Sequence, residues 1–209
     1  MRSLVLAIAL VILFAGCQSK ENPKPPSPQP QQAAQDGIGV LQKLVNDQNY
    51  RAMGFDSVDE VKQAQLGQPL PVFNIPLDKL KGYQPESDPK QLLAKSSETI
   101  YPVTVNAQVK SSVTVVQNDA GYAPSSFGNA AIVKSLSQYR QGSTAEGDFV
   151  VRVPALNMYF LARWVDGKLM LVPIADDPRL KLRPGEAVPA ETALPQLVAL
   201  ANAYNGLPM

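Results

Sequence analysis

Residues 158–174 read Met-Tyr-Phe-Leu-Ala-Arg-Trp-Val-Asp-Gly-Lys-Leu-Met-Leu-Val-Pro-Ile, two apolar runs on either side of Asp166-Gly167. An Asp-Gly pair suits the positive φ angles of a two-residue hairpin turn. With Val165 opposite Lys168, Trp164 faces Leu169 and Ala162 faces Leu171. One side of the hairpin then carries Phe160, Ala162, Trp164, Leu169 and Leu171. The other carries Tyr159, Leu161, Arg163, Met170, Val172 and Ile174. Both sides are apolar, which predicts a central piece of sheet covered on both faces.

A second alternation places Tyr101, Val103, Val105, Ala107 and Val109 on one face and Pro102, Thr104, Asn106, Gln108 and Lys110 on the other. It predicts a long strand with one wet face, followed by a turn at Ser111-Ser112 and an antiparallel return over 113–117. Phe149, Val151 and Val153 predict a further strand, stopped by Pro154. Residues 70–77, set among prolines, predict an edge strand or extended crossing segment.

Helical spacing of Ile38, Leu41, Leu44 and Val45 predicts a helix over 37–48. Ser57 and Glu60 have capping-box spacing before a short helix that Gly67 would end. Asp88-Pro89 opens another short helix through about Lys95. Residues 118–128 read as a loop, after which Asn129 caps a helix through Arg140. A last helix spans 192–205, with Pro195 tolerable in its first turn. No βαβ repeat is present, so the order of elements predicts an α+β fold: a single domain with a mostly antiparallel sheet and helices packed over it.

Composition changes the picture mainly by what is missing. The chain has 209 residues, no His and one Cys. That rules out His-dependent triads, Cys-His pairs and internal disulfides, and leaves no His/Cys metal site. A net charge of +1 gives no field for nucleic acid, and neither a metal nor another cofactor is expected. Ser87 and Lys90 have the serine-lysine spacing of one hydrolase class, but the companion segments of that class are absent. Asp176 and Asp177 are adjacent and diverge unless the chain bends. The reading leans against an enzyme, with a His-independent hydrolase kept as one alternative.

The first stretch has Arg2, an apolar run from Leu4 to Phe14, and then Phe14-Ala15-Gly16-Cys17. The run is short for a mature membrane span and suits a signal segment. It resembles the bacterial lipoprotein signal, with Phe14 standing where Leu, Val or Ile is commoner. The resemblance implies a signal peptide over 1–16, cleavage before Cys17, and lipid (palmitate among the acyl groups) on that cysteine. Gln18 lacks the aspartate associated with inner-membrane retention, so the resemblance implies the outer membrane, facing the periplasm. In a Gram-positive cell it implies the outer face of the membrane. Losing Arg2 with the signal leaves the basic and acidic side chains of the mature chain in balance.

Residues 17–35 contain Pro23, Pro25, Pro26, Pro28 and Pro30 among polar residues and read as a Pro-rich tether, with the domain over 36–209. In polyproline form the tether would reach roughly 55 Å at ~3.1 Å per residue. Such a layout suits a non-catalytic cell-envelope lipoprotein that contacts another envelope protein or a cell-wall component. A periplasmic small-ligand carrier or sensor is the other reading. Candidate contacts are the wet face of Thr104, Asn106 and Gln108, and the 118–128 loop with Tyr122, Ser125, Ser126 and Phe127. The small residues of that loop, leading into a helix, could offer backbone amides to an anion. The Pro-rich piece 69–76 and Tyr83 are further candidate contacts.

Overall fold

The computed structural model describes Ser27, residues 29–140 and residues 147–206. The signal-like stretch and Cys17 lie outside the described residues. Helix α1 runs over Pro30–Leu44, with proline in the first turn, where the missing N–H has no partner to lose. The expected tether therefore overlaps the folded domain: residues 30–35 are helical, and Ala33 and Ala34 are buried in the core. Ser27 is also tied to the domain, exchanging two 2.8 Å backbone hydrogen bonds with Tyr122.

A single sheet of nine strands organises the described residues. In chain order they are β1 (Gln65–Leu66), β2 (Leu70–Asn74), β3 (Ala94–Val105), β4 (Gln108–Asn118), β5 (Gly121–Phe127), β6 (Phe149–Val153), β7 (Met158–Val165), β8 (Lys168–Pro173) and β9 (Val188–Pro189). Across the sheet the order is β5-β4-β3-β2-β6-β7-β8-β9, and β1 adds to β3. The β2–β6 pair is parallel and the other pairs are antiparallel. Helices α2 (Leu77–Lys81), α3 (Ala130–Arg140) and α4 (Ala190–Ala203) complete a single α+β domain, its helices packed on a mostly antiparallel sheet.

The Asp166-Gly167 hairpin has the register its sequence predicts: Val165 opposite Lys168, Trp164 opposite Leu169, Ala162 opposite Leu171. Both turn residues have positive φ, 48° and 77°. Its two faces enter different cores. Phe160, Ala162, Leu169 and Leu171 pack with Leu194 and Leu197 of α4 on the front face. Leu161 and Val172 pack with Leu136 of α3 on the back face. Farther along the front face, Val113 and Val115 of β4 pack beneath Ala34, Ile38 and Leu41 of α1. Gly37 allows this approach, because a Cβ there would lie 2.6 Å from Val113 Cγ1.

Several expectations are corrected. β2 is a central strand, not an edge, and is paired on both sides. Pro71 is tolerated because pairing with β6 starts at Val72 and the β3 register is irregular between Pro71 and Phe73. The supposed loop over 118–128 is mostly strand β5, which pairs with β4. The supposed strand over 101–110 instead turns at Asn106 and Ala107, both at positive φ, so β3 and β4 form a hairpin. Ser111 and Ser112 lie buried inside β4 rather than in a turn. The Asp88 cap holds only a 3-10 turn over Pro89–Leu92, since β3 begins at Ala94. The Ser57 helix is likewise a 3-10 turn, Asp59–Gln63. Pro195 lies inside α4 rather than in its first turn.

Lys110, expected on a wet face, is buried. Its ammonium meets Asp56 at 2.5 Å and Glu60 at 2.9 Å, which ties the loop before the 59–63 turn to β4. Glu60 also accepts the Asp56 N–H at 2.6 Å, while Ser57 Oγ accepts the Glu60 N–H at 3.3 Å. The reciprocal capping expected of this pair is thus made one residue early.

Candidate functional site

Two of the front-face helices divide the sheet between them: α1 lies over β4 and β5, and α4, with α2 packed against it, over β8 and β9. The front of β2, between these halves, forms the bottom of an open groove of about 650 Å³. Because β2, β6 and β7 are neighbours, three rings far apart in sequence line up obliquely across them. The Phe73 and Phe149 rings meet edge to face at 5.0 Å, and Phe149 stacks on Trp164 at 6.4 Å. Phe149 is buried and Phe73 half-buried, while Trp164 remains 38% exposed beside Val165 at 44%. Pro69, Pro71, Lys90, Leu93 and Lys95 also line it.

Positive charge gathers at this apolar floor. Lys90 Nζ lies 4.7 Å from the centre of the Trp164 ring, a cation–π contact. Among the described residues, neither Lys90 nor Lys95 has a carboxylate within ion-pairing distance. At the lip, Arg140 donates to the Gln68 carbonyl at 3.1 Å and to Gln68 Oε1 at 3.3 Å. Its Nε stands 3.6 Å from Asp148, whose other oxygen is 3.3 Å from Arg163 Nε. Arg163 also donates to the Tyr139 carbonyl at 3.3 Å.

The Asp148 side chain is fully buried, and its two guanidinium contacts are longer than the 2.7–2.9 Å typical of charge-assisted hydrogen bonds. Burial pushes its carboxyl above the usual range, with Arg163 and then Arg140 pulling the other way. One carboxylate shared by two guanidiniums leaves the lip with net positive charge.

The residues singled out in the sequence do not converge on this groove. Thr104 is in β3 and its hydroxyl reaches the Gln65 carbonyl at 3.4 Å, while Asn106 is in the β3–β4 turn and Gln108 begins β4, both exposed. They form no binding wall, because the chain reverses between them. Tyr122, Ser125, Ser126 and Phe127 lie on edge strand β5, so a loop offering its amides is also corrected. Tyr122 and Phe127 pack against the α1 core, and Ser125 Oγ donates to the Thr114 carbonyl at 3.2 Å. Ser126 lines a back-face hollow of about 70 Å³, room for little more than a water or two.

The edge contact expected over 69–76 is taken up by pairing on both sides, and Tyr83 is buried in the front-face core. Asp88 accepts the Lys90 N–H at 2.9 Å, so the Ser87–Lys90 spacing forms a turn and sends the lysine to Trp164. Asp177 grips Arg179 with both oxygens, at 2.8 and 2.6 Å.

Fold and groove together define an α+β domain with an aromatic-floored, basic-rimmed surface trough. No protein-family model, curated protein or solved structure matches the chain.

Proposed function

We propose that this chain is a non-catalytic cell-envelope lipoprotein whose domain binds a partner through the front-face groove. The observation that carries the reading is the half-exposed Trp164, seated on Phe149 and covered by Lys90, in a groove that Lys95 and Arg140 also line. Trp and Arg dominate binding energy at interfaces, because each joins a large apolar contact to a polar handle. Lipid on Cys17 would hold the outer membrane, and the domain would face the periplasm or the wall. Since Ser27 is fastened to Tyr122, the free leash would be the chain between Cys17 and Ser27. Its reach would be roughly 30 Å at ~3.1 Å per residue, about half that of the whole Pro-rich stretch.

A second reading, a small-ligand carrier or sensor, is favoured by the groove's volume, which falls within the 300–1,000 Å³ range usual for small-molecule sites. In-cell photo-crosslinking separates the two. A photoreactive residue at Pro69, an exposed residue lining the groove, is expected to capture one reproducible envelope partner, identified by mass spectrometry. The same residue at Gln108, at the β3–β4 turn, is expected to capture none. Capture from position 69 by both the native and the Cys17→Ser protein would place recognition in the domain. Absence of any protein partner at position 69, with a bound small molecule recovered instead, would overturn the first reading in favour of the second.

A further inference from the structure

We propose that the groove receives an acidic, extended segment of the partner protein, its aromatic or aliphatic side chain seated on Trp164 and its carboxylates paired with Lys90, Lys95 and Arg140. The proposal rests on the interaction-module reading above and adds the chemistry of what is recognised. Three observations carry it.

The first is charge. Over the whole chain acidic and basic side chains nearly cancel, yet this trough collects two lysines with no carboxylate partner among the described residues and an arginine that shares Asp148 with Arg163. An apolar groove with a one-signed rim is complementary to an apolar segment of opposite charge, and that complementarity sets partner choice and on-rate. The second is the arrangement of Lys90 on Trp164. The ammonium covers the indole by a weak, partly exposed contact, so a carboxylate can draw it aside and open the ring face to an apolar side chain. The third is backbone pairing. β2, which forms the floor, is hydrogen-bonded to β3 and β6, so no strand can be added there and recognition falls to side chains. A lipid surface fits less well, because the cations and the indole line a trough rather than a convex tip.

Trp164 is the chain's only tryptophan, so its emission reports the groove directly. The Cys17→Ser protein would be titrated with the hexapeptide Glu-Glu-Pro-Phe-Glu-Glu, with its lysine counterpart Lys-Lys-Pro-Phe-Lys-Lys, and with phosphatidylglycerol vesicles. The acidic peptide should give a saturable change in emission that weakens as salt is raised, and the lysine peptide should give none. A Lys90→Glu/Lys95→Glu double variant, shown to be folded by its thermal melt, should bind the acidic peptide about tenfold more weakly and gain affinity for the lysine peptide.

Equal responses to the two peptides, no saturable response, or a response to vesicles alone would overturn the proposal. Failure here can be told from failure of the broader reading. If crosslinking from position 69 captures a partner through a segment that is not acidic, this inference falls and the interaction module stands. If it captures no protein, both fall.

Discussion

Gly54 provides a sharp test of how closely the domain is packed. It is buried at φ +98°, and a Cβ built there would lie 1.9 Å from the Lys110 carbonyl oxygen and 2.7 Å from Ala130 Cβ. Gly54→Ala meets two costs. Holding an L-residue in that conformation costs about 1–3 kcal/mol. The overlap adds a second term, because the oxygen belongs to the backbone of β4 and must retreat by more than an ångström; forced repacking of this kind costs about 1–3 kcal/mol. The two terms together give an expected loss of ~2–6 kcal/mol, and at about 2–4 °C per kcal/mol the melting temperature should fall by roughly 4–24 °C.

Gly147 is the control, with φ +109° and nothing within 4 Å of the added carbon, so Gly147→Ala bears the backbone term alone. Urea unfolding followed by Trp164 emission, with a parallel thermal melt by circular dichroism, measures both. A Gly54→Ala loss no larger than that of Gly147→Ala would refute the claimed contact. A changed m-value in Gly54→Ala alone would point instead to an altered denatured state.

Two further predictions concern charge. Lys110→Met keeps the buried stem but severs the ties to Asp56 and Glu60, and should lower stability at neutral pH. Hydrogen bonds that Lys110 donates to Asp56 and then Glu60 hold its ammonium above the usual 10.5. Its stabilisation is therefore complete below 10.5 and lost as pH rises through the folded value, so the gap between wild type and Lys110→Met, read from melts, should close in alkali. Asp148 depends on pH with the same sign, but in the acid range. Its folded pKa is raised, so the native state holds the proton more tightly than the unfolded one. Wild type should gain on Asp148→Asn as pH falls from the raised value toward 3.8; a gap moving the other way would mean that the two guanidiniums outweigh burial.

The parts of this fold that were legible in the sequence are those with a local code. Asp166-Gly167 sets the β7–β8 register because both residues accept positive φ, and the two-sided apolar pattern correctly places that hairpin between α3 and α4. The β3–β4 turn was missed because Ala107, which has no preference for positive φ, occupies half of it. β5 was hidden by residues typical of loops: its glycine and proline sit at the strand start and beside a register shift, where an edge strand tolerates them. Prolines misled twice, at Pro71, where no ladder bond to β6 is lost, and at Pro30, where the proline opens a helix instead of prolonging a tether.

The groove was illegible for a different reason. Its rings come from residues 73, 149 and 164: Phe149 and Trp164 meet across the β6–β7 pair, and Phe73 joins them only because β2 pairs in parallel with β6, with three strands and α3 between the two segments. Trp164 did carry a signal, since it lies on the core-facing side of a hairpin yet next to the turn, beyond the residues that α4 covers. A tryptophan kept where the core ends has little packing role for its exposed part. Single apolar residues on a surface need no explanation, but this one joins Phe149 and Phe73 in one groove that Lys90, Lys95 and Arg140 also line. Replacing Lys90 or Lys95 by glutamate should leave the melting temperature nearly unchanged, because exposed charges contribute little to stability. Their cost would appear in binding, and that separation distinguishes a site from a surface.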